Sequence, residues 1–314
     1  MLTEADAEAI AAAYGLGGGA RLEGPVARGE QGRVWRLSTD RAVYAVKDPF
    51  AGIDPAAAEA DAAYQDVVRA QGVPMPAVVR TPEGRVLTEV AGGPVRLYDW
   101  VDVLPRDRML DPELVGRTVA RIHRARVPTS APMHPWYTRT VGSERWQRLV
   151  GELRAAGAPF AEDLAGLLPA LEDMERLVVE RPATQLCHLD LWADNILATP
   201  AGGLVVLDWE NSGPGIPADE LVLLLEEFGA GRPERLRALL AAYDDAGGPA
   251  RITGATNAST LVAQLCHIAE LGCVRWLEST TDADREHNEA WVREFLDEPP
   301  TVDRVARILA VAGA

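Results

Sequence analysis

The stretch that most restricts this chain lies between residues 187 and 210. It reads Cys-His-Leu-Asp-Leu-Trp-Ala-Asp-Asn and continues through Ile196, Leu197 and Ala198. It then turns at Thr199, Pro200, Ala201, Gly202 and Gly203, and returns through Leu204, Val205, Val206 and Leu207 to Asp208, Trp209 and Glu210. Two short apolar runs around a Pro/Gly turn predict an antiparallel hairpin. Pairing Ile196 with Leu207 leaves Asn195 and Asp208 at its open end, with Cα atoms about 5 Å apart. A carboxylate beside an amide oxygen suits Mg2+, a hard ion that takes a few protein oxygens and completes its shell with substrate phosphates. Asp190 stands five residues before Asn195 and reaches the same space through a short loop. A single Asp or Asn at a strand end is ordinarily a cap. The combination, with a hairpin between its parts, points to chemistry.

The second constraint is a count. Of 31 basic residues, thirty are arginine and one, Lys47, is lysine. Where nearly every interchangeable basic position has become Arg, the surviving Lys marks a place for a compact ammonium and not a planar guanidinium. It ends the run Val43, Tyr44, Ala45, Val46, Lys47, whose period of two puts Val43, Ala45 and Lys47 on one strand face. A small Ala beside a Lys suits a nucleotide, with the base over Ala45 and the phosphates at Lys47. The helix that follows offers Glu59 as the carboxylate to hold the Lys, with Asp66 as the competing choice.

Around these residues the chain changes character once. Strand-like runs at 21–28, 33–38, 42–47, 85–90 and 95–101 are broken by Gly, Pro and Asp turns, and one helix over 56–70 begins at Asp54-Pro55. From about residue 103 the pattern is helical, with stretches after Asp111-Pro112 and at 143–156, 161–179, 218–229, 232–246, 256–279, 283–296 and 301–312. This predicts an α+β chain: a strand-rich lobe over 1–101 and a helical lobe over 102–314, with ligands in the cleft between them. A short N-terminal helix capped near Thr3 precedes the strands.

Tyr-Ala-Val-Lys at 44–47 resembles the Val-Ala-Ile-Lys strand of protein kinases. Cys-His-Leu-Asp-Leu-Trp-Ala-Asp-Asn resembles their catalytic loop, and Leu-Asp-Trp-Glu stands where Asp-Phe-Gly would be. Leu189 in place of Arg, Trp-Glu in place of Phe-Gly, Val-Ala-Arg-Ile-His at 119–123 and Ile-Pro-Ala-Asp-Glu-Leu at 216–221 are similar to the aminoglycoside phosphotransferase and choline-kinase-like families. The resemblance implies a bilobal protein-kinase-like fold and phosphate transfer from ATP or GTP. By it Asp190 is the catalytic base, Asn195 and Asp208 hold Mg2+, and Lys47, paired with Glu59, grips the α- and β-phosphates. His188 and Asp219 support the catalytic loop. Asp99, Trp100 and Val101 form the hinge that meets the adenine. The phosphate loop is Arg28, Gly29, Glu30, Gln31, Gly32, with two glycines where protein kinases have three. A Walker-type loop is excluded, because Lys47 does not follow Gly.

The acceptor expected is a small cationic molecule, an aminoglycoside or related antibiotic, with an amino sugar or amino alcohol of metabolism as the alternative. Glu226 and Glu270 are candidate partners for its amines, beside Asp190. The net charge of −16 over 314 residues argues against nucleic acid or an anionic membrane as partner, since both demand a basic footprint. No apolar run is long enough to span a bilayer. Cys187, Cys266 and Cys273 show neither metal spacing nor an even count, which predicts a reduced, cytoplasmic chain; a monomer or homodimer is expected. Two rivals are a catalytically inactive kinase-like binding module and a non-haem iron site built from His188, Asp190 and His267 with Arg275 beyond. The helical setting of His267 counts against the second. His123, His134 and His287, and the aromatics Trp136, Tyr137, Trp276 and Trp291, read as packing or surface residues. Glu210 is a candidate to assist a second Mg2+.

Overall fold

Thr3 sets the first element of the computed structural model, which describes residues 2–29, 32–299 and 301–313. The Thr3 backbone N–H and hydroxyl both donate to Asp6 Oδ2, at 2.7 and 2.9 Å, the reciprocal capping that opens helices. One tight turn leads into α1 (Ala7–Tyr14), which Gly15 ends in the left-handed conformation. The chain then forms β1 (Arg21–Arg28), β2 (Gly32–Ser38), β3 (Val43–Pro49), α2 (Pro55–Arg69), β4 (Val78–Val79), β5 (Leu87–Val90) and β6 (Gly93–Asp99). Asp54 caps α2 by accepting from Ala56 N at 3.0 Å, with Pro55 in the first turn, as its sequence predicts. The strands make one antiparallel sheet in the order β1-β2-β3-β6-β4, and β5 also pairs with β6.

Register decides what each face of that sheet carries. Val46 lies opposite Leu97 and Lys47 opposite Arg96. Trp35, Leu37, Val46, Val95 and Leu97 therefore share a core with Ile10, Ala11 and Tyr14 of α1, and the Tyr14 hydroxyl lies 2.9 Å from the carbonyls of Val86 and Val95. The other face presents Ala45, Lys47, Arg96 and Tyr98, and α2 reaches it where Arg96 Nη2 donates to Ala58 O at 3.4 Å.

Next come α3 (Pro112–Arg124), capped by Asp111 through Glu113 N, α4 (Ser143–Ala155), α5 (Ala161–Glu175) and β7 (Gln185–Cys187). The predicted hairpin follows as β8 (Ile196–Ala198) and β9 (Leu204–Val206). Its register differs by one residue from the expected one: Ile196 pairs with Val206, and Leu207 N donates to Asn195 O at 2.8 Å. The turn is the reason. Thr199 N bonds Gly203 O at 2.9 Å around a three-residue loop that ends on Gly202 at φ 86°, the left-handed position such loops need. After it β10 (Gly213–Gly215) pairs with β7, and α6 (Pro217–Gly229), α7 (Pro233–Asp245), α8 (Ser259–Glu278), α9 (Asp282–Asp297) and α10 (Val302–Ala312) complete the chain.

Two compact units result: Met1–Asp107 with Ala193–Ser212, and Arg108–Trp192 with Gly213–Ala314. The division expected at residue 101 thus falls at 107, and the hairpin returns to the first unit. Backbone bonds explain that return: Leu104 N donates to Ala198 O and Val206 N to Pro74 O, each at 2.8 Å. In the second unit α3 meets α7 at Gly116, where any Cβ would collide with the Leu239 carbonyl. The three cysteines are buried and free. No described helix is long and apolar enough to cross a membrane.

Candidate active site

In the first unit the side chains converge on Lys47. Its Nζ stands 2.7 Å from Asp208 Oδ1 and 2.7 Å from Glu210 Oε2. Burial works against the ammonium, yet Glu210 and then Asp208 outweigh it and hold the group above the ordinary lysine range. Of the two carboxylates, desolvation and the neighbouring Glu210 raise Asp208 although its side chain stays about half exposed, and Lys47 and Arg96 hold Glu210 far below its usual value in spite of burial. Asp208 adopts φ 60°, ψ 62°, a left-handed backbone that breaks the strand alternation and turns its carboxylate out of β9's register. Asn195 lies opposite Leu207, hence next to Asp208.

Glu59 does not hold Lys47. Its carboxylate accepts from Arg80 Nη1 at 2.8 Å and from Val86 N at 2.7 Å, and Asp66, the competing choice, bonds Arg80 Nη2 at 3.2 Å. The phase of α2 is the cause: its buried positions include Ala58, Ala62 and Gln65, which leaves Glu59 and Asp66 rotated toward Arg80. The partner that sequence reasoning placed elsewhere is Glu210, four residues past the end of β9, delivered by the left-handed turn at Asp208.

For the remaining residues expected on the nucleotide side, the structure gives the backbone setting. Gly29 N donates to Gly32 O at 3.0 Å, and a Cβ on Gly32 would fall 2.6 Å from Asp48 O. Glu30 and Gln31 of the expected phosphate loop lie outside the described residues. β6 ends at Asp99, whose N–H bonds Ala77 O, and Trp100 N reaches Val43 O at 3.2 Å, which fixes the backbone entering the 99–101 segment. Ala45 sits opposite Tyr98.

In the second unit Asp190 is half-buried and follows Leu189, which is held at φ 66°. A non-glycine residue in this region is strained, and such strain persists only where neighbours fix it. Here Glu220 Oε1 accepts the Leu189 N–H at 2.5 Å, and Gln264 Nε2 donates to Leu189 O at 2.7 Å. Glu220 Oε2 is 2.8 Å from His123 Nε2, and His123 Nδ1 is 2.8 Å from the Tyr243 hydroxyl. Burial opposes the Glu220 charge, but His123 and the loop N–H keep it ionised, below the usual range. The loop support expected from Asp219 therefore comes at Leu189 from its neighbour Glu220. One residue apart on α6, the two carboxylates diverge by about 100°; Asp219 gathers Arg181, Asn257 Nδ2 at 3.0 Å and Thr260 Oγ1 at 3.1 Å. His188 is wholly buried, consistent with a supporting place. Tyr137 lies within electrostatic reach of Asp190: burial, then the charges of Asp190 and Glu220, push its phenol up.

Glu226 is committed to Arg304 of α10, which takes it out of the acceptor role expected for it. Glu270 is already neutralised, 2.7 Å from Arg145 Nε and 3.5 Å from His267 Nδ1. The His267 ring stacks on Trp136 at 5.0 Å and lies 3.0 Å from Arg139 O, and Arg275 sits over Trp291. Among the described residues no three His, Cys, Asp or Glu side chains converge on a metal position, so the iron arrangement has no support.

Residues 24–254 match the family model described as the phosphotransferase enzyme family, APH. The chain belongs to that family. Homoserine kinase of Pseudomonas aeruginosa is 29% identical over 195 residues, 57% of this chain, and the chain spans 57% of that enzyme's length. Among solved structures, spectinomycin phosphotransferase APH(9)-Ia, in complex with ADP and spectinomycin, superposes with a TM-score of 0.70 at 13% identity, covering 100% of this chain and 99% of the other. The microcompartment-associated aminopropanol kinase gives 0.54 at 15% identity, covering 94% of each. At those identities the structures establish the fold, α+β and protein-kinase-like. The family model shows membership of a phosphotransferase enzyme family.

The donor set of this APH-family chain fits Mg2+. Asp208 offers a carboxylate that is about half exposed and Asn195 an amide oxygen, both hard donors. Two such groups form no cage by themselves, which suits an ion that keeps waters and takes phosphate oxygens.

Proposed function

We propose that this chain transfers the γ-phosphoryl group of ATP or GTP to a hydroxyl of a small, amine-bearing acceptor, an aminoglycoside or related antibiotic. The first unit would bind the nucleotide and the second the acceptor. What carries this is the cluster around the sole lysine: an ammonium fixed between two carboxylates on a strand face whose neighbour, Ala45, leaves room for a base.

In this mechanism Lys47 neutralises the α- and β-phosphate oxygens, and the backbone of Asp99, Trp100 and Val101 meets the purine. Asn195 and Asp208 hold Mg2+, which supplies positive charge to the phosphate oxygens when bound. Asp190, fixed through Leu189 by Glu220 and Gln264, orients the acceptor hydroxyl and takes its proton. The acceptor oxygen bonds to the γ-phosphorus as the bond to the β–γ bridging oxygen breaks, and the nucleoside diphosphate leaves. A loose transition state of this kind asks for positioning and charge neutralisation more than covalent help. The bound ADP and spectinomycin of APH(9)-Ia support both the nucleotide and the acceptor class.

A second acceptor class, a hydroxylated amino acid or amino alcohol, is favoured by the match to homoserine kinase. A phosphate-transfer screen with both nucleotides over aminoglycosides, amino sugars, amino alcohols and hydroxy amino acids separates the two. Turnover confined to the last two groups would reassign the acceptor. No transfer to any of them, with nucleotide bound, would favour an inactive binding module.

A further inference from the structure

Lys47 and Arg96 are direct partners across β3 and β6, so both cations project from the same sheet face, where like charges repel. Glu210 stands between them. Its Oε2 takes the Lys47 ammonium at 2.7 Å, and its Oε1 accepts from the Tyr98 hydroxyl at 3.1 Å and lies 3.7 Å from Arg96 Nη1. Arg96, only 1% exposed, is tied in turn to α2: Nη1 is 3.6 Å from Asp61 Oδ2, and Nη2 donates to Ala58 O. The planar fork of arginine can serve both sides at once, which the single ammonium of lysine cannot.

Stability alone does not account for such a residue. Buried ion pairs are often replaceable by well-packed apolar groups at no loss, and a guanidinium beside a second cation is a costly way to fill a sheet face. We propose that Arg96 is a positioning residue: with Tyr98 it fixes Glu210, and Glu210 fixes Lys47. This relay from α2 through Arg96 and Glu210 takes the place of a direct ion pair between Lys47 and α2. It gives the ammonium a partner that stays in place whatever Asp208 binds. The inference rests on the assignment of Lys47 to the nucleotide phosphates.

Calorimetric titration of the full chain with ATP and ADP, alongside thermal melts, tests it. Arg96→Met and Glu210→Gln should each weaken nucleotide binding by about tenfold, and the double variant should fall within about twofold of the weaker single one, because both break one chain of contacts. Tyr98→Phe, which removes only the hydroxyl, should weaken it by about threefold. Removing Arg96 alone leaves Asp61 and Glu210 short of a partner, so the melting temperature of Arg96→Met should fall; the readout that a merely structural arginine would not give is a loss of affinity that does not multiply with that of Glu210→Gln. If Arg96→Met does not fold, Arg96→Lys and Tyr98→Phe carry the test. Arg96→Lys keeps the charge without the fork, and should still lose affinity. Unchanged affinity in the folded variants overturns the relay, as do losses that multiply in the double variant. A wild-type chain that binds neither nucleotide overturns the proposed function along with it, whereas wild-type binding with multiplying losses removes the relay alone.

Discussion

Replacing Asp190 by Asn keeps the side chain's size and removes both the proton acceptor and the charge that aligns the hydroxyl. A general base contributes roughly 10²- to 10⁴-fold, so kcat should fall at least a hundredfold on that scale. Nucleotide affinity should stay near the wild-type value, because Lys47, Asn195 and Asp208 are untouched. Steady-state kinetics with titration calorimetry check both, and a normally active Asp190→Asn would remove the base assignment. Lys47→Arg tests shape at constant charge. The ammonium bonds Asp208 and Glu210 at 2.7 Å each, and a longer planar fork cannot keep both distances. Activity should drop by about a hundredfold or more, the scale of a misplaced group at a reacting centre. Full activity would mean that a cation of any shape suffices. The sequence singles out both residues, Asp190 by its spacing to Asn195 and Asp208 and Lys47 by its isolation, and these two variants test the roles proposed for them. The partner of Lys47 was not legible there. Which carboxylate meets it depends on the rotation of α2 and on the left-handed turn at Asp208, and neither is written in residue type.

At the level of elements, most boundaries followed from caps and turns. Asp54-Pro55 and Asp111-Pro112 open helices as expected, and β1 spans 21–28 as read. The hairpin was legible too, yet its register slipped by one, because alternation of apolar residues cannot say how many loop residues stay unpaired. A different limit moved the loop contact from Asp219 to Glu220: a motif places both carboxylates at the start of α6 but does not say which of two faces about 100° apart meets the loop. Helix α2 offers a quantitative test of its own packing. Burial first, and Glu210 second, push the Asp61 carboxyl up to about 6, against the pull of Arg96. A folded-state pKa above the unfolded one means the native chain binds more protons between about pH 4 and 6, so stability falls as pH rises through that window and levels off above it. The charged Asp61 should cost about 1–3 kcal/mol at pH 7.5. Asp61→Asn should therefore raise the urea midpoint at pH 7.5 and leave it unchanged below about pH 4. Equal midpoints for the two proteins at pH 7.5 would show that Arg96 fully compensates the buried charge.

For the whole molecule, charge is the property that no single contact explains. Forty-seven acidic residues against 31 basic ones leave a field that attracts cations whether or not any one carboxylate touches them. Glu226 and Glu270, the acidic residues first expected on the acceptor side, are paired with Arg304 and Arg145, so local pairing contributes less to amine recognition than the sequence suggested. If the acceptor is a polyamine, the net field should act mainly on encounter. Screening shortens from about 10 Å at 0.1 M salt to about 3 Å at 1 M, so kcat/KM for a polycationic acceptor should fall by about tenfold or more over that range. The turnover number, set after the complex has formed, should change little. A zwitterionic acceptor such as a hydroxy amino acid carries no net charge for the field to act on, and its kcat/KM should stay nearly flat. Initial rates at graded salt, with Mg2+ and nucleotide held saturating, measure both slopes. A flat profile for a turned-over polyamine would mean that the −16 charge keeps the chain in solution and has no part in bringing the acceptor to Asp190.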